Sequence, residues 1–160
     1  MSIRATLSGV CAALLLAFGV TVGSIAQTGP LLDLATFAQS SIEIGTGSRR
    51  QHFDVWIADT PERQTQGLMF VRDLPAGRGM LFPEPEARPT AFWMKNTYIE
   101  LDMLFIGPDH RILKIAARAP PLSLATINSD APVIAVLEIK GGEAQRRGIR
   151  IGDAASWPQT

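Results

Sequence analysis

Short apolar segments separated by glycine and proline are the feature that most constrains the fold of this chain. Apolar and polar residues alternate over residues 41–57, which predicts an antiparallel hairpin, and a similar strand pattern covers 112–115. Residues 133–139 are almost continuously apolar, which predicts a strand buried on both faces, and 149–151 are expected to complete the sheet. No segment is long enough for a helical crossover between parallel strands. The pattern therefore predicts a mainly β fold of the α+β class, a small, mostly antiparallel barrel or rolled sheet.

Helix signals are few and short. Thr60 followed by a proline is a typical helix start, and Gly67 supplies a stop about two turns later. Residues 142–147 can form a second short helix before another glycine. A long proline- and glycine-rich loop is predicted over residues 68–89, with 79–82 as its one plausible strand.

The N-terminal segment predicts export. Arg4 is the only charged residue before Asp33, and residues 9–20 are apolar apart from small residues. Ser24 and Ala26 place small residues at positions −3 and −1 of a signal-peptidase site. The apolar run is shorter than the ~20 residues of a membrane span, so we predict cleavage after Ala26 and a periplasmic or extracellular protein. An N-terminal anchor that is retained is the alternative.

These boundaries divide the chain into a signal peptide (1–26), a linker (27–40) and a single β-rich domain (41–157). Cys11 is the only cysteine, so the mature chain would have neither a disulfide nor thiol chemistry. The full chain has 15 basic and 15 acidic residues, and removal of Arg4 leaves a net charge of −1. Because the basic residues form no stripe, we predict no nucleic-acid partner. We also expect a monomer that has no membrane span after cleavage.

Residues 92–106 contain the densest mixture of aromatic, sulfur-containing and charged side chains. We expect two strands here, joined by a bend near 99–100. Trp93 lies in the apolar opening of this segment and is predicted to be buried under the 68–89 loop. Asp102 interrupts the second apolar run, and a buried carboxylate needs donors. The candidate donors are Lys95, Asn96, Thr97 and Arg63.

The polar and aromatic residues of this region form the candidate ligand-binding set, which consists of Arg63, Trp93, Lys95, Asn96, Thr97, Asp102 and Glu138. One interpretation is a non-enzymatic binding or accessory module that takes a small molecule or a protein. Another is a small enzyme in which Asp102 and Glu138 act as acid and base and Lys95 binds an anion. A third is an ion-pair network whose role is structural.

The methionines allow one further alternative, because the thioethers of Met69, Met80, Met94 and Met103 beside an aromatic ring would suit Cu(I). Methionine also fills irregular gaps in cores, and no paired spacing supports a copper site. His52 and His110 are isolated from one another in the sequence. The sequence therefore predicts no metal site and no cofactor.

Several short motifs follow one another at intervals that are familiar from one family. They are residues 67–70 (GLMF), 79–82 (GMLF), 92–97 (FWMKNT), 101–105 (LDMLF) and 136–139 (VLEI), with glycines at 141–142, 148 and 152. In these motifs the chain resembles the domain of unknown function 192 family, from about Ser41 to Ala154. The resemblance implies a compact β-rich fold and frequent export, but no established activity. Phe70 stands where the family usually has a basic residue, and Arg72 could substitute for it.

Overall fold

The computed structural model describes residues 31–158, so the predicted signal peptide lies outside the described residues. A short 3-10 helix at Leu34–Thr36 precedes the first strand. The strands, in chain order, are β1 (Ala38–Thr46), β2 (Arg49–Ile57), β3 (Arg78–Arg88), β4 (Ala91–Phe92), β5 (Leu101–Ile106), β6 (Ile112–Ala119), β7 (Ile127–Asn128), β8 (Val133–Lys140) and β9 (Ala154–Ser156). The two α-helices are α1 (Pro61–Gln66) and α2 (Glu143–Arg147). No helix among these residues has the length and apolar character needed to cross a membrane.

Seven strands form one sheet in the order β6-β5-β8-β3-β2-β1-β9, and β4 pairs with β7 apart from it. Every neighbouring pair in the sheet is antiparallel except β2 and β3. These two strands are parallel and are connected through α1, so the expectation that no helical crossover joins parallel strands was wrong. The two edge strands approach each other through an isolated bridge between Arg111 and Ala154, but within residues 31–158 no continuous ladder closes a barrel. The prediction of a mainly β, mostly antiparallel fold with two short helices is confirmed, as a rolled sheet and not as a barrel.

The sheet separates two apolar clusters, because successive side chains of a strand point to opposite faces. The first core contains Leu104 of β5 and Leu137 of β8, and the second core contains Met103 and Val136 of the same strands. Strand β8 is therefore buried on both faces, as its continuous apolar sequence predicts.

Both predicted helices are present. At the start of α1 the Thr60 hydroxyl accepts a hydrogen bond from the Arg63 amide (3.3 Å), Pro61 is the first helical residue, and Gly67 ends the helix at a φ of 50°. Helix α2 ends at Gly148, which has a φ of 71°, and this left-handed conformation favours glycine.

The long loop predicted over residues 68–89 is shorter, because β3 occupies 78–88. Proline is tolerated in β3 because the parallel pairing with β2 ends at Leu81, which leaves one edge of the strand free from Pro83 onward. At the other end of the chain the closing strand is β9 and not residues 149–151. Ile149 packs in the first core, and the Asp153 carboxylate accepts from the Arg150 amide in the turn before β9.

Two further boundaries differ from the prediction. Strand β1 begins at Ala38, so residues 38–40 of the predicted linker belong to the sheet. The first of the two strands expected over residues 92–106 is reduced to the two-residue strand β4. A turn follows at residues 95–96, in which Asn96 adopts a positive φ of 57°.

Asp102 is fully buried and has three backbone donors. Its Oδ1 accepts from the amides of Arg118 (2.8 Å) and Gly142 (2.8 Å), and its Oδ2 accepts from the Ala144 amide (2.9 Å). The residue therefore anchors β6 and the start of α2 to β5. The structural role predicted for Asp102 agrees with this geometry, but the predicted donors were wrong. The neighbours of Asp102 in β5, Leu101 and Met103, point to the second core. The Asp102 carboxylate therefore points to the opposite face of the sheet.

Removal of the Asp102 carboxylate should destabilise the fold. We expect Asp102→Ala to cost about 2–6 kcal/mol, because two fully buried amides each lose an acceptor at about 1–3 kcal/mol. Asp102→Asn keeps one oxygen and should cost less, about 1–3 kcal/mol. Denaturant melts measure both, with Asp73→Ala as the control at a side chain that is 80% exposed. Equal stability of Asp102→Ala and the parent would show that this carboxylate is not an anchor.

Candidate functional site

A cavity of about 410 Å³ lies at the end of α1 and is called here the α1 pocket. Strands β3 and β8, helix α1 and the segment that follows β4 all contribute to its wall. The lining residues include Gln64, Gln66, Gly67, Leu68, Met69, Phe82, Glu84, Arg88, Phe92, Trp93, Lys95, Thr97 and Glu138. Four of the seven residues proposed from the sequence therefore meet at one cavity.

Glu138 lines the α1 pocket from the middle of the sheet. In the strand register it lies between Met80 of β3 and Met103 of β5, so it shares the face of the second core. The residue is only 4% exposed, and burial raises the pKa of its carboxyl from 4.5 to about 8. Within residues 31–158 no charged or hydrogen-bonding side chain contributes to this shift, so burial alone raises the pKa. Glu138 is therefore protonated at neutral pH and free to contact whatever enters the pocket.

Trp93 was predicted to be buried but is 46% exposed. The adjacent Phe92 takes the inner position, where its ring packs edge-on against Phe82 (5.1 Å between centroids) and Phe105 (6.2 Å). Successive side chains of an extended segment point to opposite sides, so with Phe92 inside, the indole of Trp93 is directed outward, where it lines the pocket. The Lys95 ammonium lies 5.0 Å from the centre of this ring, a cation–π contact.

The charges around the pocket are unequal. Glu84 and Arg88 form an ion pair of 2.6 Å, in which the Glu84 side chain is 4% exposed and the Arg88 side chain 60% exposed. Lys95 forms no ion pair with an acidic side chain of residues 31–158. With Glu138 protonated, the lining therefore carries one positive charge that no carboxylate neutralises.

Asn96 and Thr97 shape the segment that carries Lys95. The backbone oxygen of Asn96 accepts from the Phe70 amide (2.8 Å), and its side-chain nitrogen lies 3.8 Å from the sulfur of Met69. Thr97 is 5% exposed and lines the pocket, and its hydroxyl donates to the Lys95 carbonyl (3.4 Å). Both residues hold the loop against its neighbours, and Thr97 also borders the cavity.

Asp102 and Glu138 cannot form the predicted acid–base pair. Asp102 is opposite Ile139 in the β5–β8 ladder and Glu138 is opposite Met103, so the two carboxyls lie on opposite faces of the sheet. Catalytic carboxyls must reach a common substrate, and the sheet separates these two. This part of the enzyme hypothesis was wrong.

Arg63 also lies away from the pocket. Its guanidinium forms an ion pair with Asp59 (2.6 Å), donates to the Thr36 carbonyl (3.0 Å) and lies 5.2 Å from the centre of the Phe37 ring. These contacts attach the segment before β1 to α1, and Arg63 does not line the α1 pocket with the other candidates.

The methionines do not converge on the cavity. Met80, Met94 and Met103 are fully buried in the second core, and Met69 is the one of the four that lines the pocket. One thioether does not provide a set of soft ligands. Among the described residues 31–158, no group of three or more His, Cys, Asp or Glu side chains has the spacing to hold a metal ion.

Other lining residues were not identified from the sequence as site residues. Phe82, Phe92 and Gly67 belong to the motif segments 67–70, 79–82 and 92–97, and all three segments border the cavity. Their convergence was the available signal, since motifs that meet at one cavity mark a site more clearly than any single residue type. The cavity itself depends on tertiary packing, which sequence patterns do not give.

The fold and the cavity define a small, mainly β domain with one buried, unpaired carboxyl at a mixed apolar and polar pocket. The DUF192 family, described as Uncharacterized ACR, COG1430, matches residues 42–157. The chain belongs to this family, which confirms the resemblance seen in its motifs. The comparison with curated proteins gives no match.

Two solved structures are similar over most of the chain. A "putative transcription regulator" from Sinorhizobium meliloti 1021 is 41% identical with a TM-score of 0.73, over 76% of this chain and 95% of that one. A protein of unknown function from Novosphingobium aromaticivorans DSM 12444 is 34% identical with a TM-score of 0.72, over 81% of this chain and 99% of that one. Neither likeness identifies a ligand.

The burial of Glu138 should make stability depend on pH. Between 4.5 and about 8 the folded chain keeps this proton and the unfolded chain has lost it, so the free energy of unfolding falls as pH rises. The stability that the protonated Glu138 contributes is fully present below pH 4.5 and is lost by about pH 8. Between these two pKa values it falls by about 1.4 kcal/mol per pH unit. Glu138→Gln removes the titrating group and should be more stable than the parent near pH 9, by on the order of 4 kcal/mol.

Denaturant melts of the parent and Glu138→Gln across this pH range measure the difference between their free energies of unfolding. The other carboxyls are common to both proteins, so their contributions cancel in this difference. Glu86→Gln, at an exposed position of β3, is the matched control and should leave the parent's profile unchanged. Parallel profiles for the parent and Glu138→Gln would contradict a buried, protonated Glu138.

Proposed function

We propose that this protein is an exported, non-enzymatic binding module that holds a small molecule in the α1 pocket. The observation that carries the proposal is the Glu138 carboxyl, which is buried, lines the cavity and has no hydrogen-bond partner among residues 31–158. A carboxyl that is almost buried and meets only the cavity loses hydration without gaining a protein partner, and such groups in native proteins need a reason. A ligand that pairs with this carboxyl supplies that reason.

The cavity is suited to a ligand of modest size. Its volume of about 410 Å³ lies within the range of ligand pockets, about 300–1,000 Å³. Aromatic and thioether groups from Phe82, Phe92 and Met69 provide apolar contacts, and Gln64 and Thr97 provide neutral polar ones. Apolar walls with a few polar groups are the usual lining of a small-molecule site.

The geometry favours binding over catalysis. Glu138 is the residue of the pocket with a strongly raised pKa, but no acidic or basic side chain of residues 31–158 contacts its carboxyl. Asp102, the second carboxyl of the enzyme hypothesis, is on the other face of the sheet and cannot reach a substrate held at Glu138.

Export is the second part of the proposal and is supported by the apolar run at residues 9–20 with Ser24 and Ala26 after it. Mass spectrometry of the mature protein tests export, because cleavage after Ala26 leaves a chain that begins at Gln27. A chain that still begins at Met1 would contradict cleavage.

A variant that fills the pocket should lose ligand binding. Thr65 lies on the exposed side of α1 and lines the cavity, and tryptophan is about as compatible with a helix as threonine is. Thermal melts with amino acids, N-acyl amino acids, sugars and nucleotides are compared for the parent and Thr65→Trp. A compound at 100 times its Kd should stabilise the parent by about 2.7 kcal/mol and the filled variant far less.

The matched control is Ile151→Trp, at a side chain that is 65% exposed and does not line the pocket. It should respond to each compound as the parent does. If every active compound stabilises Thr65→Trp as much as the parent, the ligand site is elsewhere and the proposed pocket is wrong.

A further inference from the structure

We infer that the ligand of the α1 pocket is a small organic anion with an apolar body, whose anionic group lies at Lys95 and whose neutral hydrogen-bond acceptor meets Glu138. This inference rests on the proposed binding function and names the chemical class of its ligand. It is carried by the position of two side chains at one cavity, a cation at the exposed indole and an unpaired carboxyl in the sheet.

The charges that face Glu138 favour an anion. Strand β3 contributes Glu84 and Arg88, which neutralise each other in an ion pair of 2.6 Å. The segment after β4 contributes Lys95, which has no acidic partner among residues 31–158. Helix α1 lines the pocket with the neutral side chains of Gln64 and Gln66, among others, and β5 places Met103 beside the carboxyl. A cationic ligand would meet the uncompensated Lys95 charge, whereas an anion neutralises it.

Glu138 sets the requirement at the inner end of the ligand. Its carboxyl is protonated at neutral pH because burial raises its pKa to about 8, so it presents an O–H donor. A buried donor gains most from a neutral acceptor, such as a carbonyl, a hydroxyl or an ether oxygen. A second charged group at this depth would be desolvated without a partner.

The surface between these two groups is apolar and partly open. The Trp93 ring is 46% exposed and borders the cavity together with Phe92 and Met69. The Lys95 ammonium stays near this ring through the cation–π contact at 5.0 Å, which keeps the charge at the exposed side of the site. An apolar ring or chain of the ligand can therefore contact Trp93 while its ends reach Lys95 and Glu138.

Three probes of related shape and different charge test this inference. N-acetyl-phenylalanine is an anion with an amide acceptor, its carboxamide is the neutral analogue, and phenyltrimethylammonium is a permanent cation. Calorimetry near pH 6 should rank the anion first, about tenfold tighter than the carboxamide, with the cation weakest. Lys95→Met should remove the tenfold advantage of the anion and leave the carboxamide unchanged. Lys140→Met, outside the pocket and paired with Asp73, is the control and should change neither affinity.

The pH profile tests the role of Glu138 independently of Lys95. Binding of N-acetyl-phenylalanine should weaken about tenfold between about pH 6 and about pH 9, because the carboxyl loses its donor proton and gains a repelling charge. Glu138→Gln keeps a neutral donor, so its affinity should stay flat over this range. The probe's own carboxylate remains ionised throughout and does not contribute to the profile.

Several results would overturn the inference. Tighter binding of the cation, an affinity for the anion that rises with pH, or no binding of the anion at millimolar concentration each contradict it. These results leave the proposed function in place if the broad melt screen still finds compounds that lose binding in Thr65→Trp. The proposed function fails separately, when Thr65→Trp responds to every active compound as the parent does.

Discussion

The three hydrogen bonds received by Asp102 are the interaction on which the rest of the structure depends. They join the start of β5 to the Arg118 amide in β6 and to the first turn of α2, at a position that is fully buried. Ala144, one of the donors, belongs to the first core, so the carboxylate also fixes how α2 packs. The side chain is accommodated at this buried position because three backbone amides donate to its two oxygens.

The same alternation that directs Asp102 to one face directs the pocket carboxyl to the other. Because Asp102 points to the first core, Met103 points to the second, and Met103 lies opposite Glu138 in the ladder. Strands β5 and β8 therefore hold one carboxylate that is fully paired and one carboxyl that is not. The paired group stabilises the fold, and the other group lowers stability as pH rises from 4.5 to about 8. Such a departure from the rules that govern a core is expected at a site.

Much of the fold could be predicted from local sequence. The first hairpin, the start of α1 at Thr60 and the doubly buried strand β8 follow from alternation, capping and apolar continuity. The candidate site was harder to predict. Trp93 and Phe92 are neighbours of similar character, and the contacts of Phe92 with Phe82 and Phe105, which are distant in sequence, show which ring is inside. The partners of Asp102 are backbone amides, which every residue except proline carries, so residue type could not identify them.

A site-resolved titration of the Glu138 carboxyl tests the central claim most directly. Carbon-13 NMR of protein labelled at glutamate carboxyls reports the protonation of each one, and the signal lost in Glu138→Gln assigns this residue. We expect a midpoint near pH 8 for Glu138 in the folded protein without ligand. A midpoint near the ordinary value of 4.5 would show that the carboxyl is ionised and solvated at neutral pH, and would contradict a buried donor that awaits a ligand.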